Sequence, residues 1–202
     1  MFTGIVEVVG EVSGIDVTAD GHRLTVTAPF ADALQPGQSV SVSGTCLTVE
    51  GAKADTFDVF LAEETVVRTS LGDLGVGDGV NLERSMAADG RFDGHLVQGH
   101  IDTTTELLDV EPVGEDWTYT FSLPADLEPH IVEKGSIALD GVSLTVADRF
   151  EDSFTVAVIP TTYRETTFND RRPGDRLNVE VDVLAKYVDR WLAERASGSL
   201  DL

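Results

Sequence analysis

One hexapeptide occurs twice in this chain. Gly44-Thr45-Cys46-Leu47-Thr48-Val49 returns as Gly141-Val142-Ser143-Leu144-Thr145-Val146, 97 positions later. The surrounding sequence keeps step: residues 57–65 align with 154–162, Arg68-Thr69 with Glu165-Thr166, and 77–83 with 174–180. Upstream, Gly4-Ile5-Val6-Glu7 falls opposite Gly99-His100-Ile101-Asp102 at an interval of 95. Register held this long requires two copies of one domain. A chain of 202 residues has room for two small cores. The copies join near Asp93-Gly94, which assigns residues 1–94 and 95–183 to the two domains and 184–202 to a tail.

Within each copy, apolar and polar residues alternate with period two. The first copy predicts strands at 5–12, 23–27, 39–42, 47–49, 57–61 and 80–83. The second predicts them at 101–108, 118–123, 136–139, 144–147, 154–159 and 176–181. Six short strands suit a sandwich or a closed barrel; closure removes exposed edges and is preferred. Short helical stretches are expected at 31–34, 63–71, 125–133 and 161–168. The tail has no counterpart in the first copy. Val183, Leu184, Tyr187, Val188, Trp191 and Leu192 recur at helical spacing, with charges elsewhere, which predicts one amphipathic helix fraying past Gly198. Its apolar seam caps its own barrel or packs against other copies of the chain, with near coiled-coil spacing for under two heptads. The expected fold is therefore all-β: two tandem six-stranded barrels and a C-terminal amphipathic helix.

Charge limits the partners. Acidic residues number 36 against 14 basic ones, for a formal net charge of −22. Such a surface repels nucleic acid and anionic membrane. It suits high salt, where repulsion is screened, so a halophilic protein is expected. No apolar run approaches the roughly 20 residues of a membrane span. The start, Met1-Phe2-Thr3-Gly4, lacks the basic and apolar regions of a secretory signal. A single cysteine excludes an internal disulfide and fits a reducing cytoplasm.

Chemistry concentrates where the copies differ. Cys46 and Ser143 are two weak nucleophiles at matched positions, which favours a site over a buried thiol. His100 stands where the first copy has Ile5. His95 and His100 are five apart, face opposite sides of a strand and find no Cys or His partners for zinc, so no metal is expected. His95 is read as a hydrogen-bonded structural histidine. Thr48, Thr145, Thr65 and Thr162 repeat and are read as pocket lining. Asp182 precedes the tail helix and suits its N-cap. Lys134 is read as solvated. Neither a glycine-rich phosphate loop nor a Walker pattern is present, and no cofactor is expected. The pattern fits one flat, hydrogen-bonding ligand bound twice.

Several segments together resemble the riboflavin synthase alpha-chain family: residues 1–7, Cys46-Leu47-Thr48-Val49, residues 94–100, residues 140–146 and Asn178-Val179-Glu180-Val181-Asp182. The resemblance covers nearly the whole chain. It implies Greek-key barrels and a helix that assembles a homotrimer. It implies dismutation of two 6,7-dimethyl-8-ribityllumazine molecules into riboflavin and 5-amino-6-ribitylamino-uracil, without metal or cofactor. One lumazine would lie in an N-terminal barrel and the other in a neighbouring subunit's C-terminal barrel. Carried over, a first pocket would use Gly4, Ile5, Val6, Cys46, Leu47, Thr48, Phe60, Leu61, Ala62, Glu63, Glu64 and Thr65. A second would use Gly99, His100, Ile101, Ser143, Leu144, Thr145, Ala157, Val158, Ile159, Pro160, Thr161 and Thr162. Lys134 would reach a ligand across the subunit boundary. Ser143, His100, Cys46 and Asp182 match positions implicated in catalysis. Thr45 stands where some members carry a second Cys, and Tyr163-Arg164 departs from the commoner pattern. The resemblance leaves room for association with lumazine synthase. The alternative is a non-catalytic lumazine- or flavin-binding protein of the same fold.

Overall fold

A computed structural model describes residues 1–196. The first copy forms β1 (Val8–Thr18), β2 (Gly21–Thr27), β3 (Ser39–Val42), β4 (Thr45–Ala52), β5 (Thr56–Ala62) and β6 (Gly79–Arg84). The second forms β7 (Thr103–Val113), β8 (Asp116–Ser122), β9 (Ser136–Leu139), β10 (Val142–Arg149), β11 (Ser153–Val158) and β12 (Arg176–Val181). Each set closes into an antiparallel barrel, the first in the order β1-β2-β5-β4-β3-β6 and the second in the matching order. The β2-to-β5 and β3-to-β6 neighbours make each a Greek key.

Alternation decides which side chains fill the lumen. Val40, Val42, Leu47, Val49, Val59, Leu61, Val80 and Leu82 point inward in the first barrel. Ile137, Leu139, Leu144, Val146, Val156, Val158, Leu177 and Val179 do so in the second. The second core is richer in rings: Phe121 stacks on Phe154 at 5.6 Å, and Tyr119 meets Phe168 edge-on at 5.1 Å. The Tyr119 hydroxyl donates to the Phe168 carbonyl at 2.7 Å, and burial pushes its pKa up to about 12. Both lumens are packed, so a ligand must bind outside the barrel wall.

The barrels dock through a reciprocal polar lock. Asn81 Nδ2 donates to the Asp140 carbonyl (2.9 Å), and its Oδ1 accepts from Thr167 N–H (2.8 Å). Asn178 mirrors it, donating to the Ser43 carbonyl (2.8 Å) and accepting from Ser70 N–H (2.7 Å). At the centre, the two-residue hairpin turns Ser43-Gly44 and Asp140-Gly141 abut. All four residues have positive φ, as a type I′ turn demands. A Cβ on Gly44 would lie 2.7 Å from Gly141 N, so the repeated glycine also permits this approach.

Three expectations need correction. Strands expected from residues 5 and 101 begin at Val8 and Thr103 instead; just ahead of the expected starts, buried carboxylates hold the amides of Gly4 and His100. The helices expected at 63–71 and 161–168 each break in two. α1 (Glu63–Arg68) and α2 (Pro160–Glu165) end at Thr69 and Thr166, whose extended backbone and hydroxyls cap the following 3₁₀ turns. Only a 3₁₀ turn, Ala125–Leu127, forms in the stretch 125–133.

The tail helix α3 (Val183–Ala196) does not bury its seam on its own barrel. Leu184, Tyr187, Val188, Trp191 and Leu192 are all exposed, and only Val183 is buried. Polar contacts tether it to the second barrel: Lys186 to Asp102 at 2.7 Å and Asp189 to His130 at 3.4 Å. The expected fraying past Gly198 lies outside the described residues. No described helix is long and apolar enough to cross a membrane.

Candidate active site

Two short segments run between the barrels, and each is held by a buried glutamate. Glu83 of β6 accepts from Thr3 N–H (2.6 Å) and Gly4 N–H (3.0 Å). Glu180 of β12 accepts from the amides of Gln98, Gly99 and His100 at 2.7, 2.8 and 3.0 Å. Burial pushes both carboxyls up, and the amides they bind pull back. Phe2 and Val97 pair in an isolated bridge, so the two segments meet each other.

Each segment presents its glycine carbonyl to the opposite barrel. Ser143 N–H donates to Gly4 O at 2.7 Å, and Cys46 N–H donates to Gly99 O at 2.8 Å. Val6 packs against the second barrel's core. Gly4 and Gly99 have φ of +76° and +81°, and a Cβ would lie 2.6 Å from Ser143 Cβ and 2.5 Å from Cys46 Cβ, respectively. Glycine is needed at both positions for conformation and for space. The grouping expected from sequence is thereby exchanged: Gly99, His100 and Ile101 line a cavity with Cys46, while Gly4 meets Ser143 and Val6 packs on the second barrel; Ile5 is exposed beside them. The physical reason is that the segments cross between barrels, so neighbours in sequence are not neighbours in the site.

The first grouping lines a cavity of about 330 Å³ with Thr45, Cys46, Ala62, Glu64, Thr65, Arg68, Thr69, Gly99, His100 and Ile101. Thr48 lies on the same outer face of β4, while Leu47 and Leu61 point into the barrel core, leaving only their backbone to the outside. Phe60 is half-buried, below Arg23. Glu63 is exposed on α1. A larger cavity of about 500 Å³ lies beside Thr3, Glu7 and Arg84, but neither Cys46, Ser143 nor any histidine lines it.

The second grouping centres on Ser143, which is half-buried, with Thr145 exposed beside it and Leu144 turned inward. Ala157, Ile159 and Thr161 are exposed, Pro160 and Thr162 half-buried, and Val158 is in the core. Nearby, Trp117 stacks on Tyr163 with ring centroids 3.8 Å apart. Lys134, with φ of +63°, donates its N–H to the Val146 carbonyl, next to Thr145, and its Nζ folds onto the Ala147 carbonyl.

His95 was expected to be structural, and it is hydrogen-bonded, but its partner is the candidate nucleophile. Its Nδ1 lies 2.7 Å from Ser143 Oγ, and its Nε2 is buried without a partner among the described residues. Burial lowers the His95 pKa, and the charge of Asp182 partly restores it. The ring is therefore neutral at neutral pH and able to accept a proton. Asp182 also accepts from Leu184 N–H at 2.9 Å, as an N-cap of α3. The signal for His95 in the sequence was its place in the segment 94–100 that carries His100; no spacing rule pairs it with a serine 48 positions away.

Comparison with known proteins adds the following. The lumazine binding domain model matches residues 3–85 and again 98–182. The chain is 45% identical to a riboflavin synthase of Mycobacterium bovis, over 95% of this chain and 98% of that protein. It is 41% identical to one of Bacillus subtilis, over 95% and 90%. The structure of LumP complexed with riboflavin aligns at a TM-score of 0.84 and 24% identity, covering 90% of this chain and 99% of that one. LumP with 6,7-dimethyl-8-(1'-D-ribityl) lumazine aligns at 0.82 and 23%. At these identities the LumP likeness speaks for the fold alone.

Proposed function

The chain belongs to the riboflavin synthase family, and from that premise we propose how its two sites divide the labour. The enzyme converts two molecules of 6,7-dimethyl-8-ribityllumazine into riboflavin and 5-amino-6-ribitylamino-uracil by transferring a four-carbon unit. The observation that supports the reading is that two matched but unlike groupings form: Cys46 with Gly99, His100 and Ile101, and Ser143 with Gly4 and His95.

The chemistry needs this inequality. One lumazine must lose a proton from its C7 methyl group, whose carbanion delocalises into the ring system. The other must be attacked at C7 by a nucleophile. Neutral His95, joined to the Ser143 hydroxyl, supplies a base at the second site. His100, exposed at the first site beside Cys46, supplies another group able to move a proton. Thr48, Thr65, Thr145 and Thr162 with the backbone of residues 4–6 and 99–101 offer hydrogen bonds to the heterocycles. Much of the rate enhancement comes from holding two substrates in a reactive orientation.

The uncovered seam of α3 supports assembly. Leu184, Tyr187, Val188, Trp191 and Leu192 form an apolar face that water disfavours, and a homotrimer through α3 covers it. Such a trimer brings one chain's first site to another's second site, with Lys134 reaching across. The acidic surface suits a cytoplasmic enzyme, and association with lumazine synthase fits the shared metabolite.

The test is incubation with the lumazine alone while riboflavin absorbance is followed. Growth of the riboflavin signal without added cofactor is expected; tight binding with no product would make the protein a carrier instead.

A further inference from the structure

Glu83 and Glu180 each clasp one crossing segment by its amides, and the cations beside these two clasps come from different elements. Next to the first clasp, Glu7 pairs with Arg84 of β6: Arg84 Nη2 lies 2.6 Å from Glu7 Oε2, and Arg84 N–H donates to Glu7 at 2.7 Å. Burial raises the Glu7 carboxyl, but Arg84 more than offsets this and leaves it below its usual value. The whole arrangement lies within one barrel. Next to the second clasp, Asp102 occupies the position of Glu7, and the position of Arg84 is taken by buried Val181. Asp102 accepts from Val181 N–H at 3.0 Å, but β12 offers it no charge there.

The missing cation arrives from α3. Lys186 Nζ lies 2.7 Å from Asp102 Oδ1, with both side chains mostly sheltered, at 30% and 20% exposure. That shelter sets the pair apart from an exposed surface ion pair of little worth. The Lys186 charge also acts on Glu180, the carboxylate that grips the amides of Gln98, Gly99 and His100. Asp102 is two residues from His100. A continuous route thus runs from α3 through Lys186, Asp102 and Glu180 to the segment that walls the Cys46 cavity.

We propose that Lys186 is a positioning residue: through it, the C-terminal helix holds residues 98–102 against Cys46, so the first site depends on α3 while the second is braced within β6. The functional half of this inference rests on the reading of the Cys46–His100 cavity as a substrate site.

The experiment measures amide hydrogen exchange and turnover in the full chain. Lys186→Met is expected to speed exchange in residues 98–102 by about tenfold and leave residues 3–7 unchanged. Arg84→Met is expected to do the reverse. Asp102→Asn removes the charge while keeping an acceptor for Val181 N–H, and it reproduces the Lys186→Met pattern without touching the helix. Sedimentation checks assembly, and Asp102→Asn carries the test where Lys186→Met changes the oligomer. Lys186→Arg restores slow exchange. Turnover of the lumazine falls roughly tenfold in Lys186→Met and recovers in Lys186→Arg. Unchanged exchange at 98–102 in both Lys186→Met and Asp102→Asn, or equal acceleration of both segments, overturns the tether. Faster exchange at 98–102 with full turnover overturns the assignment of the cavity as a substrate site and leaves the tether standing.

Discussion

Ser143 and His95 share one 2.7 Å hydrogen bond, and their individual contributions are inseparable if they act as a unit. Ser143→Ala and His95→Ala are each expected to lower kcat by roughly 10²-fold, and the double variant by about as much as either single. Losses that multiply in the double variant would separate them. Lys53→Ala, on the exposed face, should leave kcat unchanged. The lowered His95 pKa fixes the acid behaviour. Folded His95 binds its proton less readily than an unfolded histidine, whose usual value is 6.5. The unfolded state therefore gains protons first, so this group's stabilising contribution is complete above pH 6.5 and declines as pH falls below it. Activity carried by neutral His95 persists below pH 6.5, and a pH–rate profile checks this. Cys46, Ser143, the threonines and the glycines were legible because they repeat. His95 was not, since a long-range contact to serine leaves no local pattern.

At the scale of elements, the barrels were readable from alternation because packed lumens need every second side chain apolar. The crossing segments were not, because glutamate side chains replace a strand ladder and impose no period. The Asn81 and Asn178 amides lock the barrels together, and both are buried. Asn178→Ala would strand the Ser70 N–H and the Ser43 carbonyl, and is expected to cost about 1–3 kcal/mol per group left unpaired, read by chemical denaturation. The apolar spacing of α3 was visible in sequence, but not that its seam stays exposed beside its own barrel. On the proposal that α3 assembles a trimer, Tyr187→Ser combined with Trp191→Ser is expected to reduce the mass seen by light scattering to that of one chain and to abolish turnover. Retention of the assembled mass would remove α3 from the interface.

The whole molecule carries a net charge of −22. Its self-repulsion falls as the screening length shrinks from about 10 Å at 0.1 M salt to about 3 Å at 1 M. If screening stabilises the fold by about 2 kcal/mol, Tm rises by roughly 4–8 °C for a chain of this size. A thermal melt in low and in multimolar KCl measures this; a flat response would make the acidity incidental.

The crossing segments have a consequence for how such a molecule can arise. Reciprocal exchange of leading segments is the geometry of a swapped dimer, here with its halves joined in one chain. Two identical halves would exchange identical segments and build two identical sites. A reaction that treats two copies of one substrate differently has no use for that symmetry. Within one chain the matched positions need not be equal: Cys46 stands opposite Ser143 and Ile5 opposite His100, while the exchanged segments make each half contribute to the other's site.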